Sequence, residues 1–265
     1  MEKLIVKKKN GILEYEDIEG YETRNSSTFK CIQEADKIYN WKDFEITIYT
    51  GDGDRYDDCN EYTYSKKTMF RLVPDFNFDA WPQVGITDYI TTVKEIEEVG
   101  KTPAKIFKVG WIGNTETNIM RKKLLKYGRI NPTILDILDM KWIRSHNGLK
   151  ATTYMSMPDL VKTYEFLIDI EGFGYSGRLK HLLWSQRPLL LVERPYKEFF
   201  FKYLTKWEHY IPVKRDLSDL IIKVVWCMKN HEKAKIIASN ALEFAKKHLT
   251  REACYSEWND IITQL

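Results

Sequence analysis

The sequence contains few cysteines, and their spacing excludes two common uses of this residue. Four occur among 265 residues: Cys31, Cys59, Cys227 and Cys254. Thiols this sparse cannot build the disulfide framework of a small secreted domain, and no Cys-x-x-Cys pair marks a zinc site. We therefore predict reduced thiols in a cytosolic protein.

Long hydrophobic runs are also missing. The longest apolar stretches, such as Pro188–Val192, are far shorter than the roughly 20 residues that a helix needs to cross a bilayer. The first residues run into an acidic stretch without the apolar segment of a secretory signal. We expect a protein that has no transmembrane segment, is not secreted, and works in the cytoplasm of a bacterium or, if viral, of the host.

Charge of one sign is not in excess either. Lys and Arg number 41 against 38 Asp and Glu, which leaves a net charge of +3. This balance excludes a strong general binder of polyanions, and we predict no nucleic-acid partner. With 43% apolar residues the chain can bury a globular core, and its length allows one large domain or two smaller ones.

The second half of the chain alternates strands and helices. Apolar strands are predicted at Lys105–Trp111, Ile134–Asp139, Tyr164–Ile170, Leu189–Glu193 and His209–Val213. Apolar strands separated by helices are typical of a parallel sheet that is covered on both faces. The sequence therefore predicts an α/β fold.

The first hundred residues mix elements of both kinds. Helices are predicted at Phe29–Asn40 and Asp88–Val99, a strand at Phe44–Thr50 and an extended segment at Leu72–Phe78. The stretch Gly100–Pro103 has the composition of a linker.

This linker defines the predicted domains. We expect an N-terminal domain at residues 1–100, a C-terminal domain at 101–249, and a terminal helix at 250–265 that crosses back to the first domain.

A glycine-rich turn, Gly172–Gly177 (GFGYSG), is the strongest local signal. It matches the pattern G-x-G-x-x-G, follows a predicted strand and precedes a predicted helix at Arg178–Ser185. Glycines let the backbone approach a phosphate, and the free N–H groups at the start of a helix attract one. With Glu193 about 20 residues further on, the motif fits a dinucleotide site, a diphosphate-sugar site or a structural turn.

Two features favour the diphosphate sugar. Dinucleotide fingerprints usually open their domain, whereas this turn lies about two-thirds of the way along the chain. Ser176 and Arg178 also add a hydroxyl and a guanidinium, groups that bind a diphosphate well. The turn therefore predicts a phosphate-binding site for a nucleotide sugar.

A family resemblance extends this interpretation. Tyr164–Leu183 (YEFLIDIEGFGYSGRLKHLL) and Pro188–Leu220 resemble the signature region of glycosyltransferase family 90, which includes protein O-glucosyltransferase-like, capsular xylosyltransferase-like and lipopolysaccharide-modifying enzymes. The resemblance is looser at Val109–Leu125 and at Phe44–Asp52, and it covers about residues 41–249.

The resemblance implies a GT-B fold, in which two Rossmann-like domains face each other across the sugar nucleotide. It implies an inverting enzyme that moves a sugar, with xylose or glucose expected, from a UDP-sugar to a hydroxyl of a glycan or glycoprotein. The N-terminal domain would carry the acceptor side and the C-terminal domain the donor site. The UDP-sugar is the expected co-substrate, and neither a cofactor nor an essential divalent metal is expected.

The resemblance also implies the residues of the donor site. Ser176 and Arg178 match the family's Ser-x-Arg pair at the diphosphate, and Arg121 matches an arginine of a neighbouring helix, although a solvated helix charge is the alternative. Ile112 stands where the family often has arginine. Independently of the resemblance, Glu193 and Glu198 are candidates for the ribose, since a carboxylate accepts two hydroxyl hydrogen bonds, and we prefer Glu193 because it ends a predicted strand. The predicted donor-binding residues are Gly113, Asn114, Thr115, Arg121, Gly172, Phe173, Gly174, Tyr175, Ser176, Arg178 and Glu193.

Asp52 follows the first predicted strand and matches the acid that the resemblance implies is the catalytic base. A single inverting displacement needs one base to deprotonate the acceptor hydroxyl. Asp52-Gly53-Asp54 also reads as a metal-diphosphate motif, and with its neighbouring aspartates it fits an acidic, solvated turn as well. The basic donor turns favour the metal-free interpretation, in which Arg178 and helix ends stabilise the leaving diphosphate.

Two other functions stay open at this point. One is an NAD(P)-dependent oxidoreductase built on the GFGYSG turn, and the other is a nucleotide- or sugar-binding module without a base. The function that we predict is an inverting, UDP-sugar-dependent glycosyltransferase with Asp52 as its catalytic residue.

Overall fold

The computed structural model describes residues 2–20, 22–52, 61–145, 148–151 and 153–265. The strands are β1 (Lys3–Lys9), β2 (Ile12–Ile18), β3 (Phe44–Tyr49), β4 (Tyr62–Thr63), β5 (Ile106–Gly113), β6 (Leu135–Asp139), β7 (Trp142–Ser145), β8 (Gly148–Ala151), β9 (Tyr164–Asp169), β10 (Leu189–Val192) and β11 (Ile211–Val213). The helices are α1 (Glu22–Tyr39), α2 (Tyr89–Gly100), α3 (Ile119–Ile130), α4 (Met157–Thr163), α5 (Leu179–Leu182), α6 (Leu220–Lys229), α7 (His231–His248) and α8 (Arg251–Ile262). The predicted α/β class is confirmed.

The chain divides into two compact units. The first unit comprises Met1–Ile90, Pro195–Tyr203 and Lys247–Leu265, and the second comprises Thr91–Arg194 and Leu204–Lys246. The terminal helix α8 therefore belongs to the same unit as the N-terminal strands. No helix in the described ranges has the length and hydropathy that crossing a membrane requires.

The first unit contains a mixed four-stranded sheet in the order β2-β1-β3-β4. Strand β1 pairs antiparallel with both β2 and β3, and only β3 and β4 run parallel. The hairpin of β1 and β2 turns at Asn10 and Gly11, whose φ angles of 52° and 78° match the left-handed turns that connect hairpin strands. This hairpin was not predicted from the sequence because β2 is mostly exposed, and its apolar residues do not alternate regularly with polar ones. This sheet therefore differs from the all-parallel sheet of a Rossmann-like domain.

Helix α1 begins at Glu22 instead of the predicted Phe29, and it packs beside α8. Trp41, just after α1, donates its indole N–H to Oδ1 of Asn259 in α8 at 2.9 Å. The segment predicted as extended at Leu72–Phe78 instead ends in a 3-10 turn, Phe76–Phe78. The carboxylate of Asp75 caps this turn, and the local hydrogen bond overrides the extended preference.

The second unit is built on a parallel five-stranded sheet in the order β11-β10-β9-β5-β6. All six residues of β9 are buried, as expected for a strand with helices on both faces. Gly110 of β5 lies against the ring of Tyr164 in β9, where a Cβ would come within 2.0 Å of a ring atom. The predicted parallel sheet is confirmed, and this glycine is explained by the close approach.

The strand order creates one switch point in this sheet. The chain moves from β5 to one side, through β6, and then continues from β9 to the other side, through β10 and β11. In open α/β sheets, ligands bind beyond the carboxyl ends of the strands that flank such a point. The turns after β5 and β9 are Gly113–Thr115 and Gly172–Gly177, so the fold brings the two predicted donor turns to the same edge.

Candidate functional site

Arg178 links the two turns at the switch point. It lies after β9, and its Nη1 donates a hydrogen bond to the carbonyl oxygen of Ile112 near the end of β5. Its guanidinium carbon lies 5.7 Å from the centre of the Trp111 ring. Burial lowers the pKa of Arg178, and the charge of Asp169 opposes this effect. The side chain keeps part of its surface accessible, and the group is a fixed cation at the edge of the sheet.

Arg121 is buried at the start of α3 and is not the solvated helix charge that the sequence allowed. Its Nε donates to the carbonyl oxygen of Glu171 at 2.8 Å, and its Nη2 donates to that of Ile170 at 3.1 Å. Its Nη1 donates to the carbonyl oxygen of Asn114 and to the hydroxyl of Thr117. Most of its N–H groups are therefore used by the protein, which favours a positioning role over direct phosphate binding.

The charge of Arg121 lies close to other arginines. Burial is the main cause that lowers its pKa to about 9, and the positive charge of Arg178 adds to this shift. The carboxylate of Asp169 opposes it, and the charge of Arg194 lowers the pKa further. The edge of the sheet thus concentrates three guanidinium groups, which is the electrostatic environment of an anion site.

Two glycines make room for these arginines. A Cβ on Gly113 would lie 2.7 Å from an atom of the Trp111 ring and 3.1 Å from Nη2 of Arg178. A Cβ on Gly172 would lie 3.3 Å from Nη2 of Arg121. Gly113 is therefore needed for close packing against Trp111, and a side chain at position 172 would be in tight contact with Arg121, whichever ligand the turns bind.

Ser176 is held by a buried carboxylate that sequence reasoning missed. Its hydroxyl donates to Oδ1 of Asp169, the last residue of β9, at 2.7 Å. The other oxygen of Asp169 accepts a hydrogen bond from Nη2 of Arg194 at 2.8 Å. Asp169 is fully buried, so the Ser176 and Arg194 side chains are fixed relative to each other.

The turn after β5 is held in a similar way. Thr115 donates both its backbone N–H, at 3.1 Å, and its hydroxyl, at 2.8 Å, to Oδ1 of Asp139 at the end of β6. Asn114 accepts a hydrogen bond from the backbone of Glu116, and Asn118 donates one to the carbonyl oxygen of Gly172. The hydroxyl of Thr115 therefore stabilises the turn, and together these hydrogen bonds fix the orientation of the turn's backbone.

The other residues of the glycine-rich turn have contrasting environments. Gly174 and Tyr175 are buried, whereas the ring of Phe173 is 62% exposed. The helix predicted after the turn, Arg178–Ser185, is shorter in the structure, where α5 covers only Leu179–Leu182. A single helical turn has little dipole, so side chains rather than a helix end supply the positive charge here.

Glu193, the predicted ribose ligand, lies directly after β10. Its carboxylate is exposed at the surface and forms an ion pair of 2.5 Å with Nζ of Lys206. Its place at the carboxyl edge of the sheet agrees with the sequence-based expectation, while its role toward a ribose stays a prediction.

Asp52 lies in the first unit, after β3, and is paired with Arg24 of α1. Nη1 and Nη2 of Arg24 donate to the two carboxylate oxygens of Asp52 at 3.0 and 3.1 Å. The guanidinium of Arg24 also lies 5.0 Å from the centre of the Phe76 ring. Sequence reasoning missed Arg24 because it stands 28 residues before Asp52, and no local pattern joins the two.

The aspartates that could make Asp52 part of a metal motif lie outside the described residues, as do all positions from 53 to 60. Within the part of the chain that the structure does describe, no group of three or more His, Cys, Asp or Glu side chains could hold a metal ion. The choice between base and metal ligand for Asp52 therefore stays a prediction.

Comparison with known proteins gives a family match. The model for "Glycosyl transferase family 90" matches residues 59–265. The chain is 29% identical over 171 residues to "Uncharacterized protein 035R" of Invertebrate iridescent virus 3, covering 59% of this chain and 15% of that protein. It is 32% identical over 157 residues to "Protein O-glucosyltransferase 2" of Danio rerio, covering 57% of this chain and 31% of that protein.

A solved structure described as "Crystal Structure of TarM" aligns with a TM-score of 0.45 and 11% identity, over 61% of this chain and 36% of that one. The alignments with the two curated relatives cover less than a third of either relative's length.

Proposed function

The chain belongs to glycosyltransferase family 90, and from that premise we propose that it transfers a sugar from a UDP-sugar to a hydroxyl of a glycan or glycoprotein, with inversion at the anomeric carbon. Xylose and glucose are the proposed sugars, and the protein O-glucosyltransferase name of one relative supports glucose. The observation that carries the proposal is the placement of Arg178, which joins the turns after β5 and β9 at the switch point of the parallel sheet.

The donor half of the proposed reaction depends on the second unit. The diphosphate gains negative charge as the bond to the anomeric carbon breaks, and a fixed cation lowers the energy of that transition state. Arg178 supplies such a cation. The hydroxyl of Ser176 donates its one proton to Asp169 and therefore holds the glycine-rich turn in place. Arg121 holds the two turns in a fixed position relative to each other, because it donates hydrogen bonds to a backbone carbonyl in or beside each turn.

The acceptor half needs a base, and Asp52 is our candidate. In the proposed step a hydroxyl oxygen of the acceptor forms a bond to the anomeric carbon, UDP leaves, and the hydroxyl proton passes to the carboxylate. Each carboxylate oxygen has two lone pairs, and Arg24 uses one on each oxygen. The ion pair therefore fixes the carboxylate and still leaves it able to accept a proton.

We also propose that the reaction does not depend on a divalent metal. The support is the cluster of Arg121, Arg178 and Arg194, whose positive charge could neutralise the leaving diphosphate in place of a metal. Full activity is expected in excess EDTA. Loss of activity on chelation, with recovery on adding Mn²⁺, would instead assign Asp52 and its neighbours to metal binding.

The experiment that tests the function is a donor screen that measures UDP release in the presence of glycan and glycoprotein acceptors. Release from UDP-glucose or UDP-xylose that depends on an acceptor is the expected result. A thermal-shift panel separates the alternatives, since a ligand that binds only the folded state stabilises it. Stabilisation by NAD(P) and not by UDP or a UDP-sugar would contradict the proposal, and UDP binding without turnover would favour a binding module.

Cytoplasmic location is a further part of the proposal. Cys31, Cys227 and Cys254 are buried free thiols in the structure, which is the usual state of cysteine in a reducing compartment.

A further inference from the structure

Arg194 is a buried arginine with an unused hydrogen-bonding group. It follows the end of β10, its side chain is only 2% exposed, and its Nη2 donates to Asp169 at 2.8 Å. Its Nε lies 3.3 Å from the carbonyl oxygen of Val192. Its Nη1 is buried and has no hydrogen-bond partner among the residues that the structure describes.

An unsatisfied N–H group of a buried cation is unfavourable, so its presence needs an explanation. The same sheet offers a comparison in Arg187, which precedes β10 and so lies at the opposite, amino edge. Arg187 is also buried, but its Nε and Nη2 donate to the carbonyl oxygens of Val161 and Thr102, and its Nη1 faces Glu165 at 3.7 Å. Each guanidinium nitrogen of Arg187 therefore has a protein partner within 3.7 Å, whereas Nη1 of Arg194 has no hydrogen-bond partner among the described residues.

The surroundings of Arg194 identify the chemistry of the missing partner. Its charge is close enough to Arg121 to lower the pKa of that residue, and so is the charge of Arg178. Asp169 and Glu171 are the carboxylates that oppose this shift, and Glu171 is already paired with Arg215 at 3.1 Å. Among the charges of Arg121, Arg178, Arg194, Asp169 and Glu171, the positive ones therefore outnumber the negative ones, and an anion is the ligand that would balance them.

We propose that Nη1 of Arg194 binds a phosphate group of the nucleotide donor, and that Asp169 is a positioning residue that holds Arg194 and Ser176 in place for it. The inference rests on the proposed function, because it assigns a diphosphate to the site. It adds a second guanidinium beside Arg178, from the next strand of the sheet. It also gives the buried carboxylate of Asp169 a role: one oxygen orients the guanidinium of Arg194, and the other accepts the hydroxyl proton of Ser176 and so holds the glycine-rich turn.

Binding of two probes, UDP and inorganic pyrophosphate, tests the inference by calorimetry on the intact protein. Arg194→Gln is expected to weaken both by about 10- to 100-fold, the ratio that corresponds to loss of one charged hydrogen bond. Arg194→Lys keeps the charge and is expected to bind with intermediate affinity. Arg187→Gln is the matched control: it removes a buried arginine from the other edge, and is expected to lower the melting temperature without changing either affinity.

A double-mutant cycle tests the role of Asp169. If Asp169 acts by holding Arg194, the effects of Asp169→Asn and Arg194→Gln on pyrophosphate affinity are not additive. The double variant should then lose less binding free energy than the sum of the losses in the two single variants. Fully independent losses would contradict the positioning role.

The outcomes separate this inference from the function that it rests on. If the unmodified protein binds UDP and folded Arg194→Gln or Arg194→Lys binds it equally well, the inference is wrong and the proposed function stands. If the unmodified protein binds pyrophosphate but not UDP, and Arg194→Gln loses that binding, then the anion site is correct and the UDP donor is wrong. If it binds neither probe, both are overturned.

Discussion

The guanidinium of Arg24 faces the carboxylate of Asp52 edge to edge, with two parallel hydrogen bonds of 3.0 and 3.1 Å. A paired contact of this kind restrains the carboxylate more than a single hydrogen bond would, because it fixes the plane of the group as well as its position. Arg24 is in turn held over the ring of Phe76. We infer that Arg24 orients the proposed base.

Replacing Arg24 by Gln tests this role. The variant removes both hydrogen bonds of the paired contact, and kcat is expected to fall roughly 10- to 100-fold, because a misplaced base lowers the rate of the chemical step. The affinity for UDP is expected to be unchanged, because Arg24 is assigned to the acceptor half of the reaction. Arg24→Lys keeps the charge without the planar fork, and an intermediate kcat is expected from it. Equal kcat in all three proteins would show that Asp52 needs no orientation by Arg24.

Arg178→Ala tests the proposed cation at the diphosphate. The decrease in kcat/KM is expected to correspond to about 2–4 kcal/mol of lost transition-state stabilisation, as for removal of a preorganised charge-stabilising group. Both a higher donor KM and a lower kcat are expected, because the guanidinium would bind the diphosphate before and during its departure. Arg129→Ala, an exposed arginine at the end of α3, is the matched control and should leave kcat/KM unchanged. A folded Arg178→Ala protein with unchanged kcat/KM would remove Arg178 from the site.

Much of the second unit could be predicted from the sequence because its signals are local. Runs of apolar residues between helical stretches predict a parallel sheet, and both glycine turns stand directly after strands. A parallel sheet brings the ends of all its strands to the same edge, so the sequence also predicts that Gly113 and Gly172 lie at the carboxyl edge of the sheet.

The rest could not be predicted because it depends on pairs that are distant along the chain. Asp169 and Arg194 are 25 residues apart, and Arg24 and Asp52 are 28 residues apart. No periodicity links such residues, and only the fold shows which carboxylate faces which arginine. Arg121 is a similar case, since helix position alone does not distinguish a solvated arginine from one that is buried against the carbonyls of Ile170 and Glu171.

Acid should destabilise the protein partly through His181 of α5. Burial is the main cause that lowers the pKa of His181 to about 3 from a usual 6.5, and the charge of Lys180 adds to it. The unfolded chain therefore takes up a proton below about pH 6.5 that the folded chain does not accept until about pH 3. The free energy of unfolding should fall by up to about 1.4 kcal/mol per pH unit across this window.

Urea unfolding at several pH values between 7.5 and 4 measures this effect. His181→Gln removes the titrating group, so the pH dependence of its unfolding free energy should be shallower than that of the unmodified protein. Identical slopes for the two proteins would show that His181 is protonated alike in the folded and unfolded states.

The most direct test of the account is to measure sugar transfer and UDP-sugar binding side by side in Asp52→Asn. The amide keeps the shape of the carboxylate but cannot take up the acceptor proton, so transfer should fall roughly 10²–10⁴-fold. Donor affinity should stay close to that of the unmodified protein, and Asp54→Asn, the matched control, should keep most of its activity. Transfer retained in Asp52→Asn, or donor binding lost together with transfer, would contradict the assignment of Asp52 as the base.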